Sequence, residues 1–232
     1  MNADETRGAD LAELSNAITT DVGARGGVYA LAAKTFDQPS EAFYQELATG
    51  RIDDFFAGLV DQSGLDVEPP DATVDEDRQT VAARFNDLFV GYSEVVDKTD
   101  GTVDNYGPPV SLYESDYRPE VSWNDVNLDL ARAYEYFGCQ VNQETRRNHD
   151  HVRLQLEFMG YLCRREATVD PDVAAARLDF HDRHLRVVTE GIADMLGNEP
   201  GTGLYGRLAD FLDRFTAADV EDLAARREDE SP

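Results

Sequence analysis

The sequence predicts an all-α protein: a single globular domain of about eight to ten helices over residues 9–227, shaped as a multi-helix bundle. Three observations predict it. Apolar residues recur at helical spacing in segment after segment. No alternating apolar/polar run of five or more residues is bounded by turns, as a half-buried strand would require. Glycine and proline clusters cut the chain into pieces of helix length. Residues 1–8 and 228–232 are polar or acidic and read as flexible ends. An apolar fraction of 41% over 232 residues is enough to bury a sizeable core.

Taken in order, Leu11, Leu14, Ile18, Val22, Val28, Tyr29, Leu31 and Phe36 mark a first helix, which Gly23 and Gly26-Gly27 are expected to interrupt. Ser40 is placed to cap a short helix through Leu47. Arg51 to Val60 makes another helix, and Asp66 to Asp71, with Pro69-Pro70, a linker. Asp75 to Tyr92 carries Val81, Phe85, Leu88 and Phe89 at helical spacing. Asp97 to Pro109 reads as loop, and Val110 to Val121 has anchors at Leu112, Tyr113 and Tyr117 without a clear period. Trp123 to Gly138 is helical, with Leu128, Leu130, Ala131, Tyr134 and Phe137 as its apolar residues.

The central pair follows. Over 152–165 apolar residues cover most of the helix circumference, leaving a narrow strip with Arg153, Glu157 and Arg164, and Gly160 beside it. A helix apolar nearly all round is a buried one. Asn148 or Asp150 can cap its start. Pro171 to Leu196 reads as one amphipathic helix with His181 and His184 on its apolar side, pointing inward. After a turn at Gly197–Gly203, Leu204 to Phe215 and Asp219 to Arg227 read as two further helices.

Net charge is -26 and the isoelectric point about 4.3. Lys34 and Lys98 stand alone among 21 basic residues, the rest being arginine. That composition resembles proteins of salt-loving archaea, whose surface carboxylates hold water at molar salt. It disfavours nucleic acid as a partner, because there is no basic patch to displace counterions from phosphates. Cys139 and Cys163 form no CxxC and read as reduced thiols of a cytoplasmic protein. The acidic start Met1–Arg7 has no apolar core of a signal peptide, and no run of about 18 apolar residues exists to insert in a membrane.

Motifs with chemistry are few. Gly201-Thr202-Gly203-Leu204-Tyr205-Gly206 spells GxGxxG but follows a helix, so it reads as a helix joint rather than a dinucleotide loop. Asp97–Gly101 is acidic without calcium-loop spacing. All four histidines lie between Asn148 and Leu185. His149, His151, His181 and His184, with Glu157, Cys139 or Cys163, could ligate a metal, which would make the protein a metal-dependent helical one. Against this, the Glu-x-x-His pairs of carboxylate-bridged bundles are missing and Arg153 and Arg183 lie beside the rings. The alternative is a structural one, with His184 buried and hydrogen-bonded and His151 in a first helical turn.

The run Asp150-His151-Val152-Arg153-Leu154-Gln155-Leu156-Glu157-Phe158-Met159 resembles the signature of the TorD/DmsD/NarJ family of molybdoenzyme-maturation chaperones. Other segments resemble that family in the same order: Tyr29 to Leu47; Pro108-Pro109-Val110-Ser111-Leu112-Tyr113-Glu114-Ser115; Phe180 to Leu185; and Leu204 to Leu212. The likeness spans roughly residues 25–225. His149 stands where the family usually has proline, Gln155 where Glu is common, and Val188 where Trp is usual. The resemblance implies an all-α cytoplasmic chaperone without catalysis or cofactor. Its partner would be a molybdopterin oxidoreductase catalytic subunit, such as a DMSO/TMAO-type reductase. The chaperone would grip the twin-arginine signal peptide or the apo form until cofactor insertion, and would be a monomer or homodimer. It further implies client binding at Asp150, His151, Glu157, Pro109, Tyr113, Glu114, Tyr117 and His184.

Overall fold

The computed structural model describes residues 20–91, 93–96, 103–141, 148–168 and 173–229. The helical reading of Leu11 to Ile18, the flexible end 1–8, the turn Asp97–Gly101 and the start of a helix at Pro171 lie outside these residues. The architecture is all-α, with one small β-hairpin added.

Helix α1, Asp21–Thr35, is capped by the Thr20 hydroxyl, which accepts from the Gly23 amide at 3.0 Å. Gly23, Gly26 and Gly27 do not interrupt it. They are buried, and Gly26 lies against Gly160 of helix α6, Val152–Thr168. A Cβ on Gly26 would stand 3.0 Å from the Cys163 Cβ, and one on Gly160 would stand 3.0 Å from the Gly26 carbonyl oxygen. The glycines therefore let two backbones approach, and α1 packs more extensively on α6 than any other two elements pack on each other. Gly160, expected beside the polar strip, is buried at this crossing.

Ser40 caps α2, Glu41–Ala48, accepting from Phe43 N at 3.2 Å, as expected. Gly50, with φ 74°, turns the chain into α3, Arg51–Ser63. Helix α4, Arg78–Phe89, is capped by Asp77 and stops short of Tyr92. There the chain enters a hairpin, β1 Ser93–Val96 antiparallel to β2 Val103–Tyr106, with Ser93 opposite Tyr106. The loop expected over Asp97 to Pro109 thus contains β2, because four-residue strands are too short to display an alternating period.

A 3₁₀ turn, Glu114–Tyr117, precedes α5, Trp123–Tyr136. Val126, Leu130 and Tyr134 form the buried stripe of α5, whereas Leu128, predicted for that stripe, is 49% exposed. The second central helix is divided into α7, Val173–Phe180, a π-helical turn, His181–Leu185, and α8, Arg186–Asn198. One extra residue per turn is accommodated at the histidine pair, which stays buried as predicted.

The chain closes with α9, Leu204–Asp229, one helix of 26 residues where two were expected. Asp219, placed at the start of a new helix by the sequence, instead lies mid-helix and buried. Its carboxylate accepts from Arg177 Nη2 at 2.6 Å, Arg25 Nη1 at 3.1 Å and the Tyr29 hydroxyl at 2.7 Å. Arg177 also pairs with Glu166 at 2.7 Å, and Arg25 reaches the Ser63 carbonyl and Asp222. This buried cluster joins α1, α3, α6, α7 and α9 at a point where the surrounding core is apolar. One connected apolar cluster runs from Val22 to Phe215.

Candidate functional site

The loop ahead of α5 is fixed to the start of α6 by backbone pairing. Glu114 N donates to Asp150 O at 3.0 Å, and Val152 N to Leu112 O at 2.8 Å, with a β-bridge between Tyr113 and His151. Val110 N donates to Leu88 O at 3.0 Å, so the loop is tied to α4 as well. Pro109, just before that tie, is exposed.

Asp150 is fully buried but does not cap α6, as the sequence had suggested. Its carboxylate accepts from Ser115 N at 3.2 Å and Ser115 Oγ at 2.6 Å, capping the 3₁₀ turn across the loop. The cap of α6 is His151: its Nδ1 accepts from Arg153 N at 3.1 Å. An accepting Nδ1 carries no proton, so this ring is held with Nδ1 bare. Its plane meets that of Tyr113 edge-on at 5.0 Å. An aspartate beside a helix start ordinarily takes the cap; here the loop's unpaired donors lie nearer and claim it.

Glu114, also fully buried, is the centre of the site. It accepts from Arg118 Nε at 2.7 Å and from Gln155 Nε2 at 2.8 Å, and both its oxygens lie 3.1 Å from His184 Nδ1. The other ring nitrogen of His184 faces Asp129 at 3.3 Å, so one imidazole lies between two carboxylates from different elements. Arg183, next to it, pairs with Asp129 and Asp179, and Arg118 donates to the Arg183 carbonyl. Tyr117 packs its ring over Gly191 of α8, where a Cβ would collide with it, and donates to Ser111 O at 2.7 Å. Burial, then Asp116, push its hydroxyl well above the usual tyrosine range.

The structure therefore brings Asp150, His151, Glu114, Tyr113, Tyr117 and His184 into one neighbourhood. Glu157 is apart from them, exposed and paired with Arg153, which also reaches Asp37. Gln155, Asn127, Arg118 and Asp129 belong to the site and were not singled out from sequence. Arg118 had a signal: it lies four residues after Glu114, within reach along a turn. Asn127, whose Oδ1 accepts from Asp150 N, had none.

The histidines do not form a metal constellation. His149 stacks on Tyr134, His151 caps its helix, His181 lies 3.3 Å from Asp182, and His184 lies between Glu114 and Asp129. Among the described residues no three His, Cys, Asp or Glu side chains are disposed to hold a metal. The metal-dependent reading is not supported.

Beside Glu114 and His184 a cleft of about 570 Å³ opens between α5 and the π-helical turn. Its walls include Asp125, Leu128, Asp129 and Arg132 of α5, and Arg183 and Val187 opposite. Val121, Trp123, Leu128 and Tyr136 are exposed, four of the six large apolar side chains left in solvent among the described residues, and all are on or just before α5. Of these, Val121 and Leu128 line the cleft, and Trp123 stands two residues after Val121 at the start of α5.

These features are those of an all-α protein with a buried polar knot beneath an open cleft. By fold it is similar to a candidate redox enzyme maturation protein from Archaeoglobus fulgidus, with a TM-score of 0.50 at 15% identity over 83% of this chain and 93% of the other. The nitrate reductase delta subunit family model matches residues 34–187, and the chain belongs to that family. This is the wider grouping that the Asp150–Met159 motif resembled. The chain is 39% identical over 83 residues to the selenate reductase assembly chaperone protein of Thauera selenatis, and equally so to the chlorate reductase assembly chaperone protein of Ideonella dechloratans. Each match covers 33% of this chain and 42% of the relative. The perchlorate reductase assembly chaperone protein of Dechloromonas aromatica is 25% identical over 50% of this chain and 54% of its own. This chain thus spans about half or less of each of these relatives. All three are named as assembly chaperone proteins. Among the described residues no helix is long and apolar enough to cross a membrane.

Proposed function

We propose that this protein is a non-enzymatic cytoplasmic chaperone for a molybdopterin oxidoreductase. It holds the catalytic subunit in its apo form, through the twin-arginine leader or a neighbouring segment, until the cofactor is inserted. Family membership supports the class. The observation that carries the reading is the cleft over Glu114 and His184, with exposed Val121 and Leu128 in its wall. A leader offers an apolar stretch for that wall and a guanidinium group for Asp125. The Pro109–Tyr117 loop, Asp150 and His151 act as the frame that fixes the cleft floor. Glu157 is a surface contact apart from it.

Trp123 is the only tryptophan, is 49% exposed and lies two residues after Val121 of the cleft wall, so its fluorescence is the readout for a segment bound beside that wall. The test is calorimetry and Trp123 fluorescence at molar KCl, with a synthetic twin-arginine leader and a twin-lysine control. Saturable binding with a negative heat-capacity change and a Trp123 response is expected. Heat without saturation and an unmoved Trp123 would refute the reading.

A further inference from the structure

The charges lining the cleft are not evenly used. Arg118 is held by Glu114, Arg183 by Asp129 and Asp179, and Arg186 by Glu190, while Asp129 is further engaged by His184. Asp182 lies beside His181 Nδ1 at 3.3 Å. Among the described cleft residues, Asp125 and Arg132 have no side-chain partner. They are seven residues apart on α5, which sets them on one face of the helix, about 10 Å apart at 1.5 Å per residue. Leu128 stands between them, three residues after Asp125 and four before Arg132. It lines the cleft while keeping 49% of its surface exposed. The open part of the cleft is thus an acid, an apolar patch and a base in a row.

We propose that the cleft takes an amphipathic helical segment of the client, lying antiparallel to α5, with an acidic residue at position i, apolar residues at i+3 and i+4, and a basic residue at i+7. The spacing of such a helix face equals that of Asp125 and Arg132. Antiparallel docking sets its acid over Arg132 and its base over Asp125. It also keeps the client's acid toward its own helix N-terminus and its base toward the C-terminus, the order the helix dipole favours. The apolar pair covers Leu128, which lies between the two charges and is left 49% exposed. A volume of about 570 Å³ lies within the range of sites that bury side chains or small ligands, roughly 300–1,000 Å³. At molar salt the Debye length is about 3 Å, so only charges in contact contribute, and a charge match at fixed spacing becomes a specificity device. This inference rests on the chaperone reading and narrows it from a client to a kind of client segment.

The probe is a synthetic alanine-based helix with Glu at i, Leu at i+3 and i+4, and Arg at i+7. It is titrated against the full chain in molar KCl and followed by Trp123 fluorescence and calorimetry. Saturable binding is expected, weakened at least about tenfold by Arg132→Glu, since a charged hydrogen-bonded contact is lost and a like-charge pair is made. A second helix with Arg at both i and i+7 should bind Arg132→Glu better than wild type. Arg132 has no side-chain partner among the described residues to lose, so the variant keeps the fold. No binding of the first helix, or binding that Arg132→Glu leaves unchanged, overturns the inference. If the twin-arginine leader still binds with a Trp123 response, the chaperone reading survives that failure; if neither binds, both fall.

Discussion

Glu114 is a carboxylate with no exposed surface whose oxygens meet an arginine, a glutamine amide and an imidazole. Burying such a charge is tolerable only while its partners remain. Glu114→Ala would leave the Gln155 amide and His184 Nδ1 facing a void, so a loss of about 3–5 kcal/mol is expected, measured by chemical unfolding at constant molar KCl. A loss below 1 kcal/mol would mean water replaces the carboxylate. His151 makes a gentler test. Its bare Nδ1 caps α6, and asparagine offers an oxygen to the same Arg153 amide. His151→Ala should cost about 1 kcal/mol more than His151→Asn, read as a difference in melting temperature. Equal losses would show that the Tyr113 ring contact, absent from both variants, carries the effect.

At the scale of elements, the α1–α6 crossing depends on two glycines. Helix propensity alone predicts that Gly160→Ala stabilises by about 1 kcal/mol. The Gly26 carbonyl oxygen, 3.0 Å from the would-be Cβ, is backbone and cannot rotate away. The helices must part, and overpacking of that kind costs about 1–3 kcal/mol, so net destabilisation is expected. Gly58 in α3 has nothing within 4 Å of its would-be Cβ, and Gly58→Ala should stabilise by about 0.5–1 kcal/mol. Thermal melts of the two variants check the contrast. The same pair shows what was legible in the sequence. Helix existence at Ser40, Arg51 and Trp123 follows from caps and periodicity, which are local. Whether Gly26 breaks a helix or permits a crossing depends on Gly160, far along the chain, and no local pattern carries that. Likewise the Asp150-His151 motif marked the right place. The exchange of caps, with Asp150 serving the 3₁₀ turn and His151 serving α6, depends on a loop docking from 35 residues away. Arg177 shares a helical face with His181 and Val188, yet its buried pairing needed Asp219 of the last helix to make sense of it.

For the whole molecule the decisive contrast is between an acidic exterior and a core that contains arginine. A net charge of -26 repels itself, so screening by salt should raise the melting temperature; buried pairs around Asp219 are screened far less than surface ones. Acid acts on the two parts differently. Burial pushes the Asp219 carboxyl up, but the charge and hydrogen bonds of Arg177, the Tyr29 hydroxyl and Arg25 outweigh it and hold it below the usual carboxylate range. Its contribution is complete above pH 3.8, the unfolded value, and is lost as pH falls through the lower folded one. His181 is pulled below 6.5 by burial, against the opposing pull of Asp182, so the unfolded chain takes up a proton that the fold resists. That contribution is complete above pH 6.5 and erodes as pH drops below it. Asp213 has the opposite sign: burial and its acidic neighbours Glu190, Asp194 and Asp210 raise it, and protonation relieves it. The expected profile of stability against pH is therefore a shallow decline beginning near 6.5 and a steep fall below about 4. His181→Gln should remove the first phase and leave the second. Asp219→Asn should lower stability across the neutral range, where the buried arginines Arg25 and Arg177 lose their shared countercharge, and flatten the acid limb. Melting temperatures of the three proteins from pH 3 to 8 in molar KCl decide it, since a shallow phase that persists in His181→Gln would place the early proton on another group.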